Sequence, residues 1–315
     1  MALSITQINA VAKKYYDEKI RDQAYDDSPF LKTLKADEKI KVRGGTQIQF
    51  PINYRKLAQS AATNPRAQVA FTAKDTITSG VDDWAWYRAQ VMIPWDDLVK
   101  NRGAAEIVNL IKEKTEELKR DLTDALAADI FAASQASNAL TPLSTIVDSS
   151  TTYAGIAVAD AATWAGNEDS STTVMVMHGS GSLSYSVATA TRGSKKPTLH
   201  ITTRDLWNKY ESIIDPAKRY EDKKMANLGF DSLTLYGKPV VADSYCTEKA
   251  WYGLDMTAFE LVCQEGEDYQ FGEWFDLKVA GYPDSMAKVG KFVGNIVCHC
   301  RDTNFKYTAL DYTLA

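Results

Sequence analysis

Between residues 103 and 134, apolar side chains recur with the period of an α-helix. Ile107, Ile111, Leu118, Leu122, Leu126 and Ile130 form one stripe, widened by Leu110, Ala125 and Phe131. Charged residues stand four apart in favourable order on the other face, as in Lys112 with Glu116, Glu116 with Arg120 and Arg120 with Asp124. A helix over this span runs roughly 48 Å at 1.5 Å per residue, longer than an ordinary globular helix. It predicts a spine that crosses the whole subunit. The seven-residue repeat is not kept, which argues against a coiled coil.

Just before this helix the period changes from 3.6 to 2. Over 46–54, Ile48, Phe50, Ile52 and Tyr54 alternate with Gln47, Gln49 and Asn53, the pattern of a half-buried strand. Residues 83–93 alternate in the same way, with Trp84, Trp86, Arg88, Gln90 and Met92 on one face, and they are the expected partner. The stretch between, 55–82, is rich in Ala, Thr, Ser and Gln and offers little to bury. Arms of about 15–20 residues reach roughly 50–65 Å, whereas a globule of ~250 residues has a radius of gyration of about 18 Å. Such a hairpin projects past its own domain and needs support from another protein or another copy, since an isolated hairpin is marginally stable. The alternative from pattern alone is that 55–82 folds back as extra sheet.

The remaining chain mixes helix and strand. Residues 8–20 carry helical spacing, broken at Asp26-Asp27-Ser28-Pro29. Residues 135–171 read as loop and 174–177 as a strand. A helix is expected at 182–192, and a strand at 197–201 feeds a helix capped near Thr202 or Thr203, with Leu206, Tyr210, Ile213 and Ile214 buried. A hairpin turns at Gly237-Lys238, and strands follow at 250–256, 258–264, 287–300 and 304–310. The sum is an α+β chain.

Composition narrows function more by exclusion. The 36 basic and 41 acidic side chains give a net charge of −5, and the basic pairs are scattered, which disfavours an extended nucleic-acid groove. No run of 18 apolar residues predicts a membrane span. The start, Met1-Ala2-Leu3-Ser4-Ile5, reads as no secretion signal, so the protein is expected to stay in the cytoplasm where it is made. Cys246, Cys263, Cys298 and Cys300 suit a reducing compartment. Cys298-His299-Cys300 lacks the further ligands a zinc site needs and reads as a structural strand. Residues His178-Gly179-Ser180-Gly181-Ser182 form neither a GxSxG elbow nor a phosphate loop, and read as a turn before a helix. The acidic stretch 260–276 does not match a calcium loop and reads as a solvated face. No catalytic, cofactor-binding or metal residue is assigned.

The order of parts, an arm, an extended hairpin, a spine helix, a mixed domain and a return to sheet, resembles the major capsid proteins of tailed bacteriophages, the HK-97-like fold shared with encapsulins. The resemblance covers nearly the whole chain. It is carried by Ser28-Pro29-Phe30-Leu31, Lys39-Ile40-Lys41-Val42-Arg43-Gly44-Gly45, Trp95-Asp96-Asp97, Thr202-Thr203-Arg204-Asp205-Leu206-Trp207 with Asp215-Pro216, and Leu235-Tyr236-Gly237-Lys238-Pro239-Val240-Val241-Ala242-Asp243. These are packing and turn signatures rather than chemical motifs.

That resemblance implies an N-terminal arm at 1–45, an extended hairpin loop at 46–93, the spine helix and start of a peripheral domain at 94–159, an axial domain at 160–285 and a peripheral return at 286–315. It implies a structural head protein without enzymatic activity that forms hexamers and pentamers and closes an icosahedral shell around double-stranded DNA. Its expected partners are a portal, scaffold or decoration proteins, and DNA by non-specific contact only, with assembly in the host cytoplasm and residence in the virion. The alternatives are an encapsulin-type compartment shell and, more remotely, a cytoplasmic α+β enzyme with an unrecognised site. Candidate assembly residues are Lys39, Lys41 and Arg43 in the arm, and Tyr54, Lys56, Lys74, Trp84 and Trp86 in the hairpin. Some relatives of this fold join subunits through a Lys–Asn isopeptide bond. Lys56 or Lys74 with Asn304 match only by region, so such a link is not expected.

Overall fold

Ser28 sits in extended backbone geometry immediately before Pro29, whose fixed φ and missing N–H suit the first turn of a helix. The computed structural model describes residues 28–53, 75–100, 104–161, 164–214, 225, 232–277 and 285–312, with 62, 64, 66, 68 and 73. The helix expected at 8–20, and Tyr54, Lys56 and Lys74, lie outside the described residues.

In chain order the elements begin with α1 (Pro29–Ala36), β1 (Ile40–Arg43), β2 (Ile48–Asn53), β3 (Ile77–Asp82), β4 (Ala85–Ile93), α2 (Trp95–Lys100), α3 (Ala104–Ile130) and α4 (Leu143–Ile146). There follow β5 (Asn167–Asp169), β6 (Thr173–Val174), α5 (Leu183–Ala190), β7 (Leu199–Thr202), α6 (Arg204–Ile213), β8 (Ser232–Leu235), β9 (Lys238–Ala242) and β10 (Trp251–Leu254). The last are β11 (Phe259–Gln264), β12 (Gln270–Phe271), β13 (Phe275–Asp276), β14 (Met286–Cys298), β15 (Phe305–Tyr307) and β16 (Leu310–Asp311). The chain divides into two compact units. One comprises Met1–Gly44, Trp84–Pro142 and Glu260–Ile296, and the other Gly45–Asp83, Leu143–Phe259 and Val297–Ala315.

In the first unit, α3 buries Ile111, Leu118, Leu122, Leu126 and Ile130, the stripe that periodicity marks. It ends at Ile130, so at 27 residues it is about 40 Å long rather than 48 Å. Thr115, on the same face, is kept from being an orphan because its hydroxyl donates to the Ile111 carbonyl at 2.7 Å. The helix packs on β4. Tyr87 of β4 ties down the helix end, donating to Asp129 at 2.5 Å and accepting the Leu140 amide at 2.8 Å. The sheet runs β1-β11-β14-β12, with β13 and β4 also paired to β14. β14 has no side chain at Gly290, where Phe271 and Leu118 close in, or at Gly294, where the Val262 carbonyl would lie 2.8 Å from a Cβ.

Here the structure corrects the expected hairpin. β2 does not pair with 83–93. It pairs antiparallel with β3, from Ile48↔Asp82 to Asn53↔Ile77, whereas β4 pairs antiparallel with β14, from Ala85↔Gly294 to Ile93↔Met286. Alternation identifies a half-buried strand but carries no information about which strand lies beside it. The predicted alternation of β2 itself holds, with Ile48, Phe50 and Ile52 each about 1% exposed. Those side chains are covered within their own unit: Phe50 lies edge-on to His299 at 5.3 Å, and Val81 of β3 donates to the Ala154 carbonyl. This part of the hairpin therefore needs no neighbour to bury its apolar face.

The second unit carries a mixed sheet in the order β5-β15-β10-β7-β9-β8. β7 and β9 are parallel, and α6 lies in the crossover between them. Leu206, Trp207 and Tyr210 of α6 join Val240, Trp251 and Phe305 in the core. The hairpin β8–β9 turns at Tyr236 and Gly237, with φ of 51° and 73°, the left-handed pair a tight hairpin turn requires. The strand expected at 174–177 is shorter, covering only Thr173–Val174, while the helix expected at 182–192 is α5, capped by the Ser182 side chain.

Candidate assembly surfaces

Lys39, Lys41 and Arg43 belong to the edge of the first unit's sheet. The Lys39 and Arg43 carbonyls accept the Leu261 and Glu265 amides, and Arg43 lies 3.6 Å from Glu260. Lys41 is exposed, and beside it Val42 is 60% exposed. The two tryptophans separate. Trp84 is 5% exposed, whereas Trp86 is 59% exposed. The reason is position: Trp84 precedes β4, while Trp86 lies on the strand's outer face.

That outer face is the residue set the sequence shows only in part. Trp86, Arg88, Gln90 and Met92 point away from α3, and β14 sets Val293, Lys291, Val289 and Ala287 directly opposite them. Phe275, paired with Ala287 and 46% exposed, continues the row from Met92, itself 42% exposed. Apolar groups thus stand at both ends, and between them Arg88 faces Lys291 across the strands. Neither cation has an ion-pair partner among the described residues. Like charges directly opposite destabilise a strand pair. Arg88 could have been picked out from alternation, but Lys291 and Phe275 join the face only through the sheet register.

Elsewhere, charged groups are turned inward to hold the fold. Arg301 is fully buried. Its guanidinium donates to the carbonyls of Ile146 at 2.7 Å, Asp148 at 2.9 Å, Thr151 at 3.1 Å and Thr145 at 3.2 Å, and lies over the Tyr153 and Trp164 rings at 5.5 and 5.8 Å. Lys306 reaches Asp148 at 3.1 Å, Glu168 at 3.2 Å and the Ser144 carbonyl at 2.7 Å. Burial alone would raise the Asp148 carboxyl, but the Ser150 and Thr151 amides and the Lys306 ammonium outweigh it and hold it well below the usual carboxylate range.

The chemically tempting residues are likewise engaged. Burial pushes the Cys298 thiol up to about 12 and the Cys300 thiol to about 11, away from reactive thiolate. Ser182 caps α5 and donates to the Gly179 carbonyl at 2.7 Å. Asn304 is fully buried, its Oδ1 accepting the Asp255 amide at 2.7 Å and its Nδ2 donating to the Cys300 carbonyl at 2.8 Å. Among the described residues, no group of three His, Cys, Asp or Glu side chains is placed to hold a metal ion, and no helix is long and apolar enough to cross a membrane.

No protein-family profile matches the chain, and no characterised protein matches it by sequence. Its likeness is in three dimensions. A subunit of the cyanophage A-1(L) capsid superposes with a TM-score of 0.62 at 14% identity, covering 87% of this chain and 90% of that one. A subunit from the capsid of a native GTA particle gives 0.58 at 11% identity, covering 89% and 91%. A chain of the satellite phage P4 procapsid gives 0.53 at 12% identity, covering 97% of each. The fold of this chain is the phage capsid-subunit fold, the HK-97-like architecture that its order of elements resembles.

Proposed function

We propose that this chain is a major capsid protein, a structural subunit without catalytic activity whose copies close into an icosahedral shell around phage DNA. The observation that carries this reading is likeness to capsid subunits along nearly the full length of both chains, rather than over one module. The burial of its thiols and polar side chains in structural roles agrees with it. In this reading the arm at 1–45 and the hairpin loop at 46–93 engage neighbours, and 94–159 with 286–315 form the peripheral part. The stretch 160–285 forms the axial part around five- and six-fold positions. Heterologous contacts that close rings build capsomers. Lys39, Lys41, Arg43, Tyr54, Lys56, Lys74, Trp84 and Trp86 are the proposed contact residues, Trp86 being the more exposed of the two tryptophans. Portal, scaffold or decoration proteins complete the particle. A net charge of −5 suits a container that must release its DNA, since a strongly basic wall would bind the phosphate backbone.

Electron microscopy of the purified protein and of its parent particle tests this. Closed shells containing nucleic acid are expected. A strictly monomeric species that enters no particle would exclude the proposal, and native shells holding a cargo protein without DNA would identify a compartment instead.

A further inference from the structure

Strand β5 ends the second unit's sheet, beside β15. A cavity of about 310 Å³ lies against it, within the size range of small-ligand sites. Successive residues of a strand point to opposite faces. Glu168 therefore leaves β5 on the side of Lys306, its register partner, while Asn167 and Asp169 leave on the side of Phe305 and Tyr307. Helix α5 adds Thr189 and the exposed ring of Tyr185 to the wall. The side-chain donors around this cavity are engaged, and the acceptors are not. An ammonium has three N–H groups, and those of Lys306 go to the Ser144 carbonyl, Asp148 and Glu168 at 2.7, 3.1 and 3.2 Å. Asn167 points its amide nitrogen at the Asp302 and Asn304 carbonyls, at 2.8 and 2.9 Å, so its Oδ1 faces away from them. Thr189 donates its hydroxyl to the Tyr185 carbonyl at 2.9 Å. Asp169 accepts the Ser171 amide at Oδ1, 3.0 Å away, and its Oδ2 receives no donor among the described residues. Glu168 Oε2 has only the Ser149 hydroxyl at 3.3 Å and amide at 3.5 Å, contacts at the long limit of hydrogen bonding.

From this we infer that the cavity binds a linear polyamine, an alkyl chain carrying two or more ammonium groups. One ammonium donates to Glu168 Oε2, and a second donates to Asp169 Oδ2 and Asn167 Oδ1. The two carboxylates stand apart because they leave the strand on opposite faces, so a ligand with separated charges fits them. Its alkyl chain crosses the edge of β5 beside Phe305, and the Tyr185 ring offers its face to an ammonium. An anion is disfavoured: Lys306 already stands against Asp148 and Glu168, and Asp169 leaves the lining negative. A single metal ion is also a poor match, since among the described residues no three His, Cys, Asp or Glu side chains converge to hold one. The site belongs to one subunit and does not depend on the shell-forming reading.

Calorimetric titration of the full chain with 1,4-diaminobutane, spermidine, 1-aminobutane and inorganic phosphate, at low ionic strength, tests it. Diaminobutane and spermidine are expected to bind at a single site and to raise the melting temperature. Aminobutane, with one charge, binds at least about tenfold more weakly. Asp169→Asn keeps an oxygen for the Ser171 amide but loses the charge, and weakens diaminobutane at least about fivefold. Asp121→Asn removes an exposed acid of α3 and changes the affinity less than about twofold. Should Asp169→Asn fail to fold, Tyr185→Ala, at an exposed ring, takes its place and weakens diaminobutane at least about threefold. Equal weakening by Asp169→Asn and Asp121→Asn marks counter-ion binding to a negative surface and overturns the inference. So do equal affinities for the monoamine and the diamine, phosphate binding tighter than diaminobutane, or the absence of both binding heat and a raised melting temperature. A chain that binds the diamine at this site but forms no shell refutes the shell reading alone.

Discussion

Arg301 and His200 show opposite ways of burying a basic residue. Arg301 keeps its charge because four carbonyls and two aromatic faces replace water. Arg301→Met leaves those carbonyls without their donor and is expected to destabilise the subunit by about 3–5 kcal/mol. Arg301→Lys recovers only part, because an ammonium cannot span the fork. Denaturant unfolding at neutral pH measures both, and an unchanged midpoint would contradict the role. His200 instead sheds its charge. Its Nδ1 has no hydrogen-bond partner, and its ring packs against Trp251 and Phe305 at 6.2 and 5.8 Å. Burial, with a smaller push from Lys238, lowers its pKa from 6.5 to about 3. The unfolded chain thus binds a proton between these values that the folded chain refuses. Stability is fully present above pH 6.5 and falls by about 1.4 kcal/mol per unit as pH drops below it. His200→Leu should remove that slope between pH 6.5 and 5, read from unfolding midpoints of the unassembled subunit. Asp148 acts lower, losing its contribution only as pH falls below the usual carboxylate range.

At the level of elements, legibility followed local periodicity. The spine α3 was readable because Ile111, Thr115, Leu118, Leu122, Leu126 and Ile130 follow one another at three or four positions along its buried face, and the register of that stripe is set by the helix itself. Its end was not, since Ile130 terminates the helix where Tyr87 fastens Asp129 and the turn at Leu140, contacts between residues more than forty positions apart. β2 and β4 were each readable as strands, but not their partners. β4 pairs with a strand some two hundred positions later, and nothing local in either strand specifies that choice. Gly294 marks the cost of this pairing. A Cβ there would meet the Val262 carbonyl at 2.8 Å and the Phe292 ring at 3.0 Å, so β11 and β14 approach as closely as a glycine allows. Gly294→Ala is expected to destabilise by about 1–3 kcal/mol, seen as a lowered melting temperature. An unchanged melting temperature would show that the strands can separate without penalty.

On the scale of the whole molecule, the described residues bury an apolar interior and expose large apolar side chains on strands, helices and turns alike. Val42, Trp86, Met92 and Phe275 are exposed, while the base of the hairpin is enclosed. The candidate tryptophans follow the same division. Trp86 was legible as an outward residue by its parity on the strand. Trp84 shares that parity, yet it lies one residue before β4 begins, where the alternation no longer governs direction.

The amino-acid sequence by itself determined the kind of the spine helix and of β2, β4 and β14, the stripe that the spine buries and the alternation of β2 and β4, but not β3 or β5, which lie in stretches that read as loop. The legible features depend on neighbours within a turn or two of backbone, so propensity and period suffice. Only the tertiary structure decided which strands lie together, that Arg88 faces Lys291, that Trp84 is enclosed while Trp86 is not, and that Arg301 and Lys306 serve the interior. Those outcomes are set by contacts between distant segments, where hydrogen bonding is the same for every candidate partner and only shape, burial and charge select one.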